Sequence, residues 1–226
     1  MRARTNRVTT LQPLGDQAVL ASCADETTAL RLSSALRRAA PPWLIDVVQA
    51  YTSLAAFFDS DRTRYAAAAE FLHDLSQTSE TETAVESKLH SIPCCYEFQL
   101  DLERVVEHTR LTTEEVIRMH GDMEYTVYAI GFCPGFPYLG YLPAPLCGVP
   151  RLSSPRLRVA PGSVGLTGRQ TGIYTEERPG GWNLIGRTPL TLVDVADSYF
   201  PLRTGDRVRF VRIDEAEFRR REGERL

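Results

Sequence analysis

Residues 161–174 read PGSVGLTGRQTGIY, and this stretch decides the fold of the second part of the chain. Its glycines, at positions 162, 165, 168 and 172, separate runs of only two or three residues. Glycine permits tight turns and the close approach of another strand or a ligand. The spacing therefore predicts short strands joined by turns, not helices.

The same pattern continues on both sides of this stretch. From residue 125 onward, glycine and proline recur between short β-type runs, at 125–131, 158–159, 164–168, 172–174, 182–187, 191–195 and 207–213. Many short strands with such turns predict a closed or nearly closed β-barrel. Two helices are predicted before it, over 101–109 and 113–120. Thr112 and Glu115 have the spacing of a capping box for the second helix.

The first 75 residues have a different pattern, with strands predicted within 8–24, 44–48 and 53–58. Helices over 26–39 and 62–75 would cover one face of this sheet, which gives a small α+β sandwich. The polar run SQTSETETAVESK, residues 76–88, predicts a linker. The expected fold class is therefore α+β, with an N-terminal sandwich at 1–88 and a β-barrel at 89–226.

The composition excludes several kinds of chemistry. The net charge of −3 gives no overall field that favours nucleic acid or an anionic membrane. Lys88 is the only lysine, so the Gly-Lys-Ser/Thr run of a Walker phosphate loop is absent. The five cysteines and four histidines show no metal-ligand spacing, so we expect no metal site and no disulfide framework. With no long apolar run and no apolar segment after MRARTNR, we expect a cytoplasmic protein outside the membrane.

Residues 131–139, GFCPGFPYL, place three aromatic side chains among glycines and prolines. We expect an irregular loop that holds these rings in fixed positions. For Phe132 we expect a plug at one end of the barrel, with a pocket wall as the alternative. For Phe136 and Tyr138, a plug and a pocket wall are equal alternatives.

Two arginines, Arg151 and Arg156, each follow a proline that fixes the preceding backbone. A guanidinium held in this way suits a carboxylate or phosphate, and the alternative is a surface ion pair. Gln170 and Tyr174 add polar groups for a small amide or carboxylate, whereas Trp182 is more typical of barrel core than of a ligand platform.

His120 ends the second predicted helix, where a histidine commonly complements the helix dipole. General acid–base catalysis is the alternative role. No base is evident near Cys133, and Ser163 lacks the G-x-S-x-G context of a nucleophile elbow. The sequence therefore shows no complete catalytic set.

Three long motifs occur in order: GFCPGFPYLGYL (131–142), PRLSSPRLRVAPGSVGLTGRQTGIY (150–174) and PGGWNLIGRTPL (179–190). Together with the ending IGRTP…GD-x-VRF (185–189 and 205–210), they closely resemble the carboxyltransferase C/D-subdomain family. That family includes the B-type subunits of 5-oxoprolinase, Kip-type inhibitors of sporulation histidine kinases, and proteins labelled allophanate hydrolase subunit 1.

The resemblance implies that the β-barrel is cyclophilin-like. It also implies a small subunit of an ATP-dependent 5-oxoprolinase-type complex, inactive alone, that opens 5-oxoproline to glutamate. ATP is implied as cofactor, at a site formed with the partner. The implied partners are a larger carboxyltransferase A/B-type subunit and a lactam-utilisation subunit. The alternative within the family is a Kip-type inhibitor that binds a sensor histidine kinase.

The motifs of the resemblance also imply a set of pocket residues, with His120 as a weak catalytic candidate. This set comprises Phe132, Phe136, Tyr138, Arg151, Arg156, Gln170, Tyr174 and Trp182.

Overall fold

The computed structural model of the chain describes residues 8–78 and 87–226. The N-terminal heptapeptide and most of the predicted linker at 76–88 lie outside the described residues. The chain divides into two compact units, Met1–Glu86 and Ser87–Leu226. None of the helices in the described ranges has both the length and the hydropathy needed to span a membrane.

The first unit packs two helices on an antiparallel sheet. Its elements are β1 (Val8–Pro13), β2 (Ala18–Cys23), α1 (Glu26–Ala39), β3 (Leu44–Ala50), β4 (Ser53–Phe58) and α2 (Tyr65–Thr78). The strands pair in the order β1-β2-β4-β3. The predicted α+β layers are therefore present in this unit.

Helix α1 shows how the sequence sets this packing. Asp25 caps its start, because the side chain accepts a hydrogen bond from the backbone N–H of Thr28 at 2.8 Å. Leu32 and Leu36, four residues apart, lie on the buried face of the helix. The core that they enter is formed by alternate residues of the strands and one face of α2, namely Val19, Ala21, Val47, Leu54, Ala56, Phe58, Ala68 and Leu72.

The second unit is built mainly of short strands, with three α-helices among its described elements. In chain order these are β5 (Leu89–Cys94), α3 (Leu102–Thr109), α4 (Thr113–Gly121), β6 (Glu124–Ile130), β7 (Pro137–Gly140), β8 (Arg156–Val159), β9 (Ser163–Thr167), β10 (Gln170–Ile173), β11 (Arg178–Gly180), β12 (Asn183–Arg187), β13 (Arg207–Arg212) and α5 (Glu215–Arg221).

The main sheet of this unit runs in the order β5-β13-β6-β7-β10-β9-β12. Its pairs are antiparallel except β5 with β13, which are parallel. A single bridge joins its two ends, where Cys95 and Arg187 exchange backbone hydrogen bonds of 2.8 and 2.9 Å. The sheet is thus mostly antiparallel and is not closed by a continuous ladder. Strands β8 and β11 form a separate two-stranded ribbon.

Alternation along the strands gives the sheet two different faces. Leu139, Val164 and Leu166 point into the main core of the unit, with Ile92, Tyr125, Val127, Ile173 and Phe210. Tyr138 and the residues paired beside it point to the other face, towards the ribbon. A second, smaller hydrophobic cluster lies on that face.

The structure confirms some of the predicted elements and corrects others. The capping box of α4 is confirmed, since the Thr112 hydroxyl accepts from the Glu115 N–H at 3.2 Å and the Glu115 carboxylate accepts from the Thr112 N–H at 2.7 Å. The loop expected throughout 131–139 is wrong at its end, because β7 begins at Pro137. Proline is tolerated as the first residue of a strand.

The strand predicted over 191–195 is also wrong. Only isolated bridges occur there, Thr191 with Arg225 and Asp194 with Tyr199. Leu192 of this segment belongs to the main core, whereas Val195 is 55% exposed.

Candidate functional site

Five predicted site residues come together as an aromatic cluster, formed by Phe132, Phe136, Tyr138, Tyr174 and Trp182. Phe136 lies at its centre. Its ring centroid is 4.9 Å from that of Tyr138, 5.3 Å from Tyr174, 5.4 Å from Phe132 and 5.6 Å from Trp182. All four pairs meet edge to face, the arrangement that the charge distribution of aromatic rings favours.

Glycine makes room for this cluster on the outer face of the sheet. A Cβ at Gly172 would lie 3.0 Å from the Phe136 ring and 3.1 Å from the Trp182 ring. A Cβ at Gly180 would lie only 2.3 Å from the Tyr174 hydroxyl. The absence of a side chain at Gly172 and Gly180 therefore leaves the space that the aromatic rings occupy.

The aromatic cluster has a buried part and an accessible part. Phe136 and Tyr174 are each 2% exposed and Trp182 is also buried, so these rings are hydrophobic core. Tyr138 is half-buried. Phe132 is 59% exposed, so its predicted role as a plug is wrong.

Phe132 also has an unusual backbone, with φ at 69° in the left-handed region. A non-glycine residue there costs on the order of 1–3 kcal/mol, and such residues concentrate at functional sites. The loop thus holds an exposed ring in a strained position above Phe136 and Tyr174.

Arg151 supplies positive charge beside the aromatic cluster. It is exposed, and no acidic side chain of residues 8–78 or 87–226 forms an ion pair with it. Burial raises the pKa values of the Tyr138 and Tyr174 phenols, and the nearby Arg151 cation opposes both shifts. The Arg151 cation thus acts electrostatically on the phenols of Tyr138, which is half-buried, and Tyr174, which is buried.

Arg156 has a different environment, although the sequence could not distinguish it from Arg151. Its Nη1 and Nη2 donate to Oδ2 and Oδ1 of Asp101 at 2.9 and 2.7 Å. Oδ2 of Asp101 also accepts the Leu184 N–H at 2.7 Å. Both Nη groups of Arg156 are thus occupied by the carboxylate of Asp101, and this ion pair gives Arg156 a structural role. Its predicted part in binding an anion stays a prediction.

Gln170 lies two residues from Gly172 along β10 and therefore on the same face of the sheet. Gln170 is the first residue of β10 and pairs with Gly140 of β7 and Thr167 of β9. Gly172, which pairs with Tyr138, lies further along the same strand. Gln170 is half-buried at this position. Its place in the site stays a prediction.

His120 lies in the main core instead, on the inner face of the same sheet, with 0% exposure. Nδ1 is 2.8 Å from the Tyr96 hydroxyl, and Nε2 is 2.9 Å from Oγ1 of Thr171. Because Thr171 donates its own hydrogen to the Gly165 carbonyl at 3.1 Å, it must accept from Nε2–H. Nδ1 then accepts from Tyr96, which assigns the tautomer.

Burial lowers the pKa of His120 to about 3, so the imidazole is neutral at neutral pH. The predicted interaction of a positive His120 with the helix dipole is therefore wrong. Both nitrogens are engaged inside the core, by Tyr96 and Thr171. A catalytic role of His120 stays a prediction.

Two features of this region are not predicted by the sequence. Asp101 was expected only at the start of a helix, but its side chain binds a residue 55 positions away. A cavity of about 360 Å³ adjoins the aromatic cluster through Tyr174 and contains Arg187. Within the described ranges, His, Cys, Asp and Glu nowhere form a group of three or more that could hold a metal ion.

A family model, the carboxyltransferase domain, subdomain C and D, matches residues 9–201. The chain therefore belongs to the carboxyltransferase C and D subdomain family. It is 39% identical over 194 residues to the B-type subunit of 5-oxoprolinase from Bacillus subtilis (strain 168), covering 78% of this chain and 79% of that one. It is 49% identical over 129 residues to the corresponding 5-oxoprolinase subunit of Escherichia coli O157:H7, covering 56% and 59%.

Solved structures extend the comparison to the fold. The crystal structure of TTHA0988 matches with a TM-score of 0.72 at 38% identity, over 82% of this chain and 36% of that chain. This chain thus spans about a third of that protein's length. The Kluyveromyces lactis urea amidolyase matches with a TM-score of 0.72 at 19% identity, over 93% of this chain and 15% of that chain, which shows a shared fold.

Proposed function

We propose that this chain is the small subunit of a 5-oxoprolinase-type complex, which opens 5-oxoproline to glutamate with the consumption of ATP. The observation that carries the proposal is the similarity to a B-type subunit of 5-oxoprolinase over more than three quarters of both chains. The proposed partners are a larger carboxyltransferase A/B-type subunit and a lactam-utilisation subunit.

The accessible part of the aromatic cluster suits the substrate of this reaction. 5-Oxoproline carries a carboxylate and a small, nearly flat lactam ring. We infer that Arg151 binds the carboxylate through its planar fork, with the Tyr138 hydroxyl beside it. Phe132 then covers the lactam ring, while the buried rings of Phe136, Tyr174 and Trp182 fix the wall of the site.

The chemistry of ring opening is assigned to the assembly. Cys133 is buried, and its sulfur lies 3.4 Å from the Thr175 hydroxyl, so the site has no accessible nucleophile of this kind. This chain has no glycine-rich phosphate loop with a lysine, since its single lysine, Lys88, lies in a polar stretch. We therefore propose that ATP binds elsewhere in the complex.

We further propose that the main sheet is a cyclophilin-like barrel. In support, the sheet ends meet at the reciprocal bridge between Cys95 and Arg187. The main core lies on one face of the strands, as in a barrel whose interior is filled by side chains.

The aromatic loop also offers a surface to the larger subunit. Phe132 is exposed, and Phe200, 44% exposed, lies beside Gly135 of the same loop. Exposed aromatic side chains of this kind are enriched where proteins bind one another. The proposed site would then lie at the contact between the subunits.

The Arg151→Lys variant should raise the KM for 5-oxoproline in the reconstituted complex roughly thirtyfold to a hundredfold. Lysine keeps the charge but loses the planar fork, which should cost on the order of 2–3 kcal/mol. Steady-state kinetics with the variant, after a thermal melt to check folding, measures the effect. Arg158→Lys is the control, because Arg158 is exposed and its change should alter KM less than about twofold. A folded Arg151→Lys variant with normal kinetics would place the anion site elsewhere.

The proposal as a whole is tested by reconstituting the complex from its purified subunits and assaying glutamate. The complex should release glutamate only when ATP and 5-oxoproline are both present.

A further inference from the structure

The cavity of about 360 Å³ lies beside the aromatic cluster but has its own walls. Apart from Tyr174, which it shares with the aromatic cluster, they come from Thr175, the turn at Pro161 and Gly162, the segment from Arg187 to Val193, Phe218 of α5 and the residues that follow α5. A cavity of this volume is at the lower end of the range for sites that bind small molecules. None of the roles proposed above uses it.

Arg187 is held in a fixed position on the wall of this cavity. Its backbone is bridged to Cys95, and its Nε–H donates to the Pro161 carbonyl at 3.0 Å. The guanidinium carbon lies 5.6 Å from the centroid of the Phe218 ring. Among the described residues, no acidic side chain forms an ion pair with Arg187. The two Nη groups are thus available for a bidentate contact with a carboxylate.

Glu222 lines the same cavity just after α5 ends. Its charged neighbours Arg221 and Glu224 pair with each other at 2.8 Å. Within the part of the chain that the structure describes, no basic side chain pairs with Glu222. The cavity therefore carries one cation and one anion that are not neutralised by each other.

This charge pattern favours one class of ligand over another. A doubly charged anion such as phosphate would gain from Arg187 but would be repelled by Glu222. A zwitterion with a carboxylate and an ammonium group can satisfy both side chains. The leucines and Val193 on the wall leave apolar space for the rest of a small molecule.

We propose that this cavity binds a small free α-amino acid, with Arg187 on its carboxylate and Glu222 on its ammonium group. The assignment goes beyond the proposed function, because it concerns a second site in this chain. Such a site would bind the product of the proposed reaction and not its substrate, since glutamate has a free ammonium group and 5-oxoproline has none.

Calorimetric titration of the isolated full chain tests the proposal, without ATP or a partner, so its outcome does not depend on the proposed function. L-Glutamate is the probe, and glutarate is the matched ligand that lacks the ammonium group. L-Glutamate should bind the unaltered chain about tenfold more tightly than glutarate. Glu222→Gln should remove this preference, and Arg187→Lys should weaken both ligands about tenfold or more.

Glu215→Gln is the control variant, because Glu215 lies on α5, the helix that precedes Glu222, and pairs with Arg219 at 3.1 Å, outside the cavity lining. It should leave both affinities unchanged. Equal binding of L-glutamate and glutarate to the unaltered chain would overturn the proposal, as would tighter binding of inorganic phosphate. These comparisons need no variant, so they decide the question even if Arg187→Lys fails to fold.

Discussion

Replacing Asp101 by asparagine should lower the free energy of unfolding by about 3 kcal/mol, because it leaves the Arg156 guanidinium without its counter-charge. Asp101 is 8% exposed and accepts three hydrogen bonds, two from Arg156 and one from the Leu184 N–H. Loss of one partner of a buried pair costs about 3–5 kcal/mol. We expect a cost at the lower end of this range because the Arg156 side chain is 27% exposed.

Urea unfolding at pH 7 measures this effect. The matched control is Glu177→Gln, which removes an exposed carboxylate 3.6 Å from Arg158 and should change stability by less than about 1 kcal/mol. If Asp101→Asn is as stable as the control, the ion pair is not structural. If an Arg156→Lys variant is stable but no longer binds substrate, Arg156 belongs to the binding site.

Lowering the pH should reduce the free energy of unfolding, because His120 is buried in its neutral form. In the unfolded chain its pKa is near the ordinary 6.5, whereas burial lowers it to about 3 in the folded chain. Between these values the unfolded state binds the extra proton, so stability falls as pH falls. The loss attributable to His120 should be about 2 kcal/mol between pH 6.5 and pH 5, growing to about 4–5 kcal/mol near pH 3.

The measurement is urea unfolding of the unaltered chain and of His120→Gln across this pH range. The variant should be less stable at pH 7 but should show a shallower fall in acid. His73→Gln is the control, because His73 is exposed on α2 and its change should keep the original slope. An identical slope for His120→Gln would mean that His120 titrates normally. Nitrogen NMR of the imidazole gives a second readout, with the Nε2–H form persisting well below pH 6.

Local signals predicted the helices and many strands. Asp25 and the pair of Thr112 and Glu115 mark helix starts within four residues of sequence, and their caps form as expected. Strand β7 was missed because its identity depends on pairing with β6 and β10, contacts that no local pattern records. The segment at 191–195 has strand-like residues, but it forms only isolated bridges, and Leu192 is the one residue in it that is buried.

The site was predictable in its composition but not in its arrangement. Five aromatic residues of the three motifs do form one cluster, whereas Tyr141 of the first motif packs against Tyr128 instead. However, Phe132 and Phe136 have similar local sequences, and only the fold decides that the first is exposed and the second buried. Arg151 and Arg156 both follow proline, and they differ only because Asp101 lies beside one of them. Such choices depend on residues far away in sequence.

Glutamate release by the purified chain, measured with and without its proposed partners, tests the central claim most directly. The chain alone, given ATP and 5-oxoproline, should produce no glutamate above background, because the described site contains no complete catalytic set. Addition of the larger carboxyltransferase-type subunit and the lactam-utilisation subunit should produce glutamate in proportion to the ATP consumed. Clear turnover by the chain alone would contradict its role as a subunit. A stable but inactive complex would contradict the assignment to 5-oxoproline.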